Sequence, residues 1–182
     1  APTASQVTLV TYPHSVAGLG REYPMERDVK GTWVAELEGD LHGTYYTYRV
    51  TVGGRTNEAV DPYAKAVGVN GERGMVIDLS RTNPEGWEEL VKPPFQHPVD
   101  AVIYELHVRD LSMHPASGIT HKGKFLGLTE RGTRGPGGVT TGLDHLLELG
   151  VTHIHLLPSF DYATVDETRL FEPQFNWGYD PQ

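Results

Sequence analysis

The 182-residue chain has no cysteine, which removes disulfide frameworks, thiolate nucleophiles and cysteine-ligated zinc, and is compatible with either the cytoplasm or secretion. It has no dense basic cluster either: 15 Lys and Arg stand against 24 Asp and Glu, a formal net charge of -9. That balance argues against phosphate backbones and anionic headgroups, so no nucleic acid and no membrane is expected as a partner, and a neutral ligand fits better. No apolar run approaches the roughly 18 residues of a bilayer span. Ala1-Pro2-Thr3-Ala4-Ser5 does not read as the start of a signal peptide, while a leader removed upstream is compatible with it. What is present, 38% hydrophobic and 21% charged residues, is the composition of an ordinary globular protein of one medium or two small domains.

The first half reads as short strands broken by turn residues. Val7 to Tyr12 is an apolar run closed by Pro13, and Trp33 to Leu37 alternates before the Gly39-Asp40 turn. From Thr44 to Val52 the period is two, with Tyr46, Tyr48, Val50 and Val52 on one face and Tyr45, Thr47, Arg49 and Thr51 on the other. Gly53-Gly54 permits the positive backbone angles of a two-residue hairpin turn into a return strand near Arg55 to Val60. A further strand is expected at Met75 to Leu79. This spacing, without a helical pattern, predicts a small antiparallel β-sandwich over residues 1–80, its tyrosine face directed to the core.

Residues 81–98, with Asn83-Pro84-Glu85-Gly86-Trp87 and Lys92-Pro93-Pro94, read as a linker. Beyond it, Val102 to Val108 predicts a buried strand. Leu143, Leu146 and Leu147 fall at helical spacing, with Thr140 or Thr141 as N-cap and Gly150 as the stop. Val151 to Pro158 predicts a second buried strand. The three elements make a βαβ unit with parallel strands. Such a unit needs a doubly wound sheet or a closed barrel of about 250 residues to cover it. Residues 99–182 are expected to be the opening of that domain, cut off after the loop that follows its second strand.

Parallel α/β folds place their sites on loops after strand C-termini. Two long loops qualify, Arg109 to Val139 and the stretch from Ser159 onward, which contains Asn176-Trp177-Gly178-Tyr179-Asp180-Pro181. Flat aromatics around a glycine, then a carboxylate and a proline, form a surface on which a sugar ring can stack. Asn176, Trp177, Tyr179 and Asp180 are therefore the candidate substrate-binding residues. The bare backbone of Gly178 is expected to admit a ligand closely.

Those six residues, preceded by Phe175, resemble the Tyr-Asn-Trp-Gly-Tyr-Asp-Pro signature of type I pullulanases, the starch-debranching enzymes of the α-amylase superfamily, with phenylalanine in place of the first tyrosine. Gly150 to Pro158 resembles the superfamily's second barrel strand, and Tyr104-Glu105-Leu106-His107-Val108-Arg109-Asp110-Leu111-Ser112 its first. Asp40 to Val50 and Glu58 to Ala66 resemble the isoamylase-type N-terminal β-sandwich module, here without its first strand. The resemblance implies a multidomain β plus α/β chain, an incomplete antiparallel sandwich followed by the first strand-helix-strand of a (β/α)8 barrel. It implies retaining hydrolysis of α-1,6 links in pullulan, amylopectin and limit dextrins, and the remaining polypeptide of the same enzyme as a partner. No catalytic residue is assigned within the chain: the nucleophile and the acid/base are expected beyond Gln182, so the chain alone is expected to be inactive. Tyr179 is implied as the ring stacked under the sugar at the cleavage point, with Asp180 as its polar neighbour, while Trp177 and Asn176 shape the loop or line the cleft. No cofactor is required; calcium is compatible but has no locatable site.

Other residues have plainer readings. Glu105 and Asp110 are expected to hydrogen-bond neighbouring loops. His153 and His155 share a strand face at a spacing that binds zinc in metal-dependent hydrolases, yet such a site needs further ligands, and no metal is assigned. Trp87, beside the linker, is expected to pack between domains. Within the enzyme class the alternatives are isoamylase and branching enzyme; outside it, a non-catalytic glucan-binding module, which leaves the βαβ unit unexplained.

Overall fold

The structure, a computed structural model, describes residues 1–181. It divides by contact into two compact units, one of residues 1–89 with 165–174, the other of residues 90–164 with 175–181. The segment 165–174 thus packs with the first half of the chain, a grouping that division at residues 80 and 98 does not contain.

The first unit is antiparallel. Its strands are β1 (Gln6–Tyr12), β2 (Arg21–Pro24), β3 (Glu26–Arg27), β4 (Trp33–Val34), β5 (Tyr45–Val52), β6 (Arg55–Ala59), β7 (Ala66–Val67) and β8 (Gly74–Met75). Among the described residues β2, β1, β5, β8 and β7 lie side by side in one sheet, β6 pairs with β5, and β3 with β4 makes a separate ribbon. Val52 opposite Arg55 leaves a two-residue turn, and Gly53 and Gly54 have φ of 56° and 79°, the positive pair that a type I′ hairpin requires.

Alternation sorts the sheet's side chains. Thr8, Val10 and Tyr12 lie opposite Arg49, Thr47 and Tyr45, and this face is closed, with Val10 fully buried and Thr47 3% exposed. Glu58 joins it across from Arg49. Its carboxylate accepts hydrogen bonds from Tyr12 Oη at 2.5 Å, Thr47 Oγ1 at 2.6 Å and Arg49 Nε at 2.8 Å. Burial pulls its pKa upward, but the bonds from Thr47, Tyr12 and Arg49 prevail and hold it at about 2. On the other face Val7 is buried while Tyr46, Tyr48 and Val50 are half-buried. Tyr46 donates to Asp61 Oδ2 at 2.8 Å.

Two expected strands are shorter than their patterns. The ladder beginning at Trp33 stops at Val34 because the next residue of the partner, Met25, gives its N–H to Val7 instead. Past Met75, Val76 still donates to Thr44 O at 2.9 Å and accepts from Gly43 N at 2.8 Å, and Asp78 then caps a 3-10 turn, Leu79–Thr82, through Ser80 N. Local capping there competes with continued pairing.

The segment 165–174 is tied down by Asn70, whose backbone N–H donates to Glu167 Oε2 at 2.7 Å and whose Oδ1 accepts from Glu167 N at 2.8 Å. Gln174 braces it further, donating to Asp166 O at 2.9 Å and accepting from Asp166 N at 2.7 Å.

The second unit holds β9 (Ile103–Leu106), α1 (Val108–Ser112), α2 (Gly142–Glu148) and β10 (His153–Leu156). β9 and β10 pair in parallel, Ile103 opposite His153 through Leu106 opposite Leu156. The expected strand-helix-strand order is present, with differences. The first strand ends at Leu106, and Val108 opens a helix. Thr141 is the N-cap but makes no side-chain cap; its hydroxyl donates to Ser117 O at 2.6 Å. Leu146 is buried, whereas Leu147 is exposed. Neither strand is buried throughout: Ile103 is 65% and Ile154 40% exposed. Among the described residues each strand pairs only with the other, so both outer edges and part of each face lack cover.

Candidate functional site

The site is built on the loop that leaves the C-terminal end of β10. Leu157 N–H still donates to Leu106 O at 2.9 Å, so the loop departs from a fixed point. Its return limb runs antiparallel to its outgoing limb, with a bridge between Tyr162 and Pro181. Ala163 N–H donates to Asp180 O at 2.9 Å. Tyr162 Oη donates to Pro158 O at 3.0 Å, and burial together with the nearby Asp180 charge pushes its pKa up.

Thr164 is the knot of this loop. Its N–H and hydroxyl both donate to Asp180 Oδ2, at 3.0 and 2.6 Å, and its hydroxyl oxygen accepts from Asn176 Nδ2 at 2.7 Å. Asn176 Oδ1 in turn accepts from Gly178 N, an Asx turn that closes the motif on itself. The Thr164 hydrogen bond, with lesser help from Asn176, holds Asp180 below the usual carboxylate range. The polar side chains of Asn176 and Asp180 therefore both help to hold the loop's shape.

Gly178 packs tightly against the outgoing limb. Its φ is 92°, and a Cβ there would stand 2.2 Å from the Pro158 carbonyl oxygen. The missing side chain makes room for the outgoing limb.

Behind the motif lies an aromatic cluster. Phe175 and Trp177 meet edge to face with centroids 5.0 Å apart. His107 lies 5.6 Å from Phe175 and 6.0 Å from Trp177, and the Arg109 guanidinium sits over the Phe175 ring at 5.0 Å. Packing of this kind fixes one side of Trp177, which remains 57% exposed, while Tyr179 is 70% exposed. An exposed tyrosine ring on a loop locked at both limbs presents a flat face on which another ring can stack. Because the loop is already tied, little ordering is left to be done on binding.

Of the four candidate residues, the loop thus brings Trp177 and Tyr179 to the surface as rings and ties the side chains of Asn176 and Asp180 to Thr164. The remaining polar residues of interest are paired elsewhere. His155 Nδ1 lies 3.2 Å from Glu105 Oε2 across the parallel pair. His153 Nδ1 is 2.8 Å from Thr152 Oγ1 and its ring meets Phe95 at 4.7 Å. Asp110 accepts from Arg109 Nη1 at 3.3 Å. Among the described residues no group of three or more His, Asp or Glu is placed to hold a metal ion.

His107, Thr164 and Pro158 were not legible as site residues. Thr164 lies twelve residues before Asn176 with no motif linking them, and His107 reads as one more residue of a strand.

Residues 1–64 match the family model of carbohydrate-binding module 48, the isoamylase N-terminal domain. The chain is 48% identical over 162 residues to a pullulanase of Bacillus subtilis (strain 168), covering 89% of this chain and 22% of that protein. Among solved structures it superposes on the pullulanase from Paenibacillus barengoltzii in complex with maltohexaose and alpha-cyclodextrin, with a TM-score of 0.94 at 63% identity, over 100% of this chain and 28% of that one. The pullulanase from Bacillus acidopullulyticus gives a TM-score of 0.91 at 46% identity, over 100% and 22%. The chain thus spans between about a fifth and just over a quarter of the length of these relatives.

Proposed function

Because the chain belongs to the pullulanase family over the stretch it spans, we propose that it serves the hydrolysis of α-1,6-glucosidic branch links in pullulan, amylopectin and limit dextrins, and that it supplies one glucan-binding wall of the cleavage site. The observation that carries this reading is the exposed Tyr179 ring on a loop locked by Thr164 at the C-terminal end of a parallel strand. On this reading β9, α2 and β10 are the first strand-helix-strand of a (β/α)8 barrel, whose sites lie at that end of the strands. The parallel register of β9 and β10 supports it.

Tyr179 is the ring under the sugar at the cleavage point. Its π-face attracts the positive charge that develops on the sugar as the glycosidic bond breaks, more than it attracts the neutral ground state. Trp177 lines the same wall. Retaining hydrolysis requires a nucleophilic carboxylate and an acid/base about 5 Å apart. We assign those roles to none of the residues here and place them in the part of the relatives' length that this chain does not span. The Paenibacillus pullulanase held with maltohexaose and alpha-cyclodextrin supports an α-glucan as the ligand.

Incubating the intact protein that contains this chain with pullulan, and resolving the products, tests the reading. Maltotriose as the product of exclusive α-1,6 cleavage is expected; a well-folded protein that releases no reducing sugar would overturn it. The 182-residue chain by itself is expected to show no turnover.

A further inference from the structure

His107 follows directly on β9, and its side chain is only 10% exposed. Its Nε2 lies 2.9 Å from the carbonyl oxygen of Asn176. A carbonyl can only accept, so Nε2 carries the proton and donates. The other ring nitrogen, Nδ1, is buried and has no hydrogen-bond partner among the described residues. The carboxylate of Asp110 stands 3.9 Å from it, beyond hydrogen-bond reach.

A buried nitrogen without a partner is unfavourable. A leucine or phenylalanine would fill the same space without that penalty, so packing alone does not account for an imidazole here. What the imidazole adds is its opposite end: an N–H aimed from the rigid end of a strand at the backbone of the motif, two residues before Gly178. The ring also sits within aromatic contact of both Phe175 and Trp177, and so sets the depth at which that pair rests.

We propose that His107 is a positioning residue for glucan cleavage: its Nε2–H fixes the Asn176 carbonyl, and thereby the height and tilt at which Trp177-Gly178-Tyr179 presents the Tyr179 ring. This rests on the reading of Tyr179 as the sugar platform. His107 does not touch the sugar on this account. It acts through Asn176, while Thr164 holds the same residue from its side-chain end.

The test uses the intact protein and three variants. His107→Phe keeps the ring and loses the donor. His107→Gln places an amide N–H near the position of Nε2, whereas His107→Asn carries its amide too short of the Asn176 carbonyl. Pullulan kinetics are read together with hydrogen-deuterium exchange in the peptide covering residues 175–181. With His107→Phe, kcat is expected to fall about tenfold with KM changed less than about twofold, as for loss of a group acting mainly in the transition state. Exchange in that peptide rises several-fold. His107→Gln recovers most of both effects and His107→Asn does not.

The proposal is overturned if His107→Gln is as impaired as His107→Phe, or if His107→Phe matches the unaltered protein in kinetics and exchange alike. Where His107→Phe fails to fold, the contrast between His107→Gln and His107→Asn decides. If the unaltered protein leaves pullulan intact, the proposed function falls, and the anchoring by His107 is still judged by whether exchange rises and is recovered by His107→Gln.

Discussion

Gly178 and Pro158 approach so closely that a single added methyl group at the glycine would lie 2.2 Å from the proline's carbonyl oxygen. The outgoing and returning limbs of the loop are pressed together at that point, two residues from the carboxylate that Thr164 ties down. Gly178→Ala must either open the limbs or flip the backbone out of its positive φ, a strain of order 1–3 kcal/mol before the overlap is counted. Loss of most pullulan activity is expected with little change in overall melting temperature. Activity close to that of the unaltered protein would show that the limbs can part without consequence.

The Thr164 knot makes a separate prediction. Thr164→Val keeps the shape and removes the hydroxyl that serves both Asn176 and Asp180, so that the Asn176 amide loses this acceptor and Asp180 Oδ2 keeps only the Thr164 N–H of the two Thr164 donors. Exchange in residues 175–181 is expected to increase and kcat/KM to fall, whereas Thr164→Ser, which retains the hydroxyl, stays close to the unaltered protein. Equal loss in both variants would assign the effect to the methyl group.

Tyr179→Ala bears on the chemistry. A ring that favours the charged, distorted sugar over the relaxed one should lower kcat more than it raises KM. Steady-state kinetics on pullulan check this, and an unchanged kcat would place the ring away from the breaking bond.

The first unit carries a pH prediction. Glu58 is held at about 2 when folded, against an ordinary glutamate value of about 4.3 in the unfolded chain. Its folded pKa is depressed, so its stabilisation is fully present above the unfolded value and is lost as pH falls from about 4.3 towards 2. The urea midpoint of the first unit should fall over that window, and Glu58→Gln should be less stable at pH 7 yet show a flatter decline. A midpoint insensitive to pH between 5 and 2 in the unaltered protein would contradict this.

Much of this was legible from residue order. The Gly53-Gly54 turn, the two-fold alternation of β5 and the order strand, helix, strand in the second half follow from local backbone chemistry and periodicity, which neighbouring residues decide among themselves. Strand ends were less legible. Whether Ala35 continues a ladder depends on what Met25 does with its own N–H, which goes to the distant Val7.

By itself the sequence determined that an antiparallel β unit precedes a parallel strand-helix-strand and that an aromatic motif with one glycine lies on a loop after the second parallel strand. Those are matters of short-range pattern. Only the tertiary structure decided which motif residues face outward. Thr164, Pro158 and His107 claim the side chains of Asn176 and Asp180, the space at Gly178 and the carbonyl of Asn176, and so leave the rings of Trp177 and Tyr179 as the exposed groups. The physical reason is that hydrogen bonds and close contacts across the two limbs of a loop join residues far apart in the chain, and no local spacing encodes them.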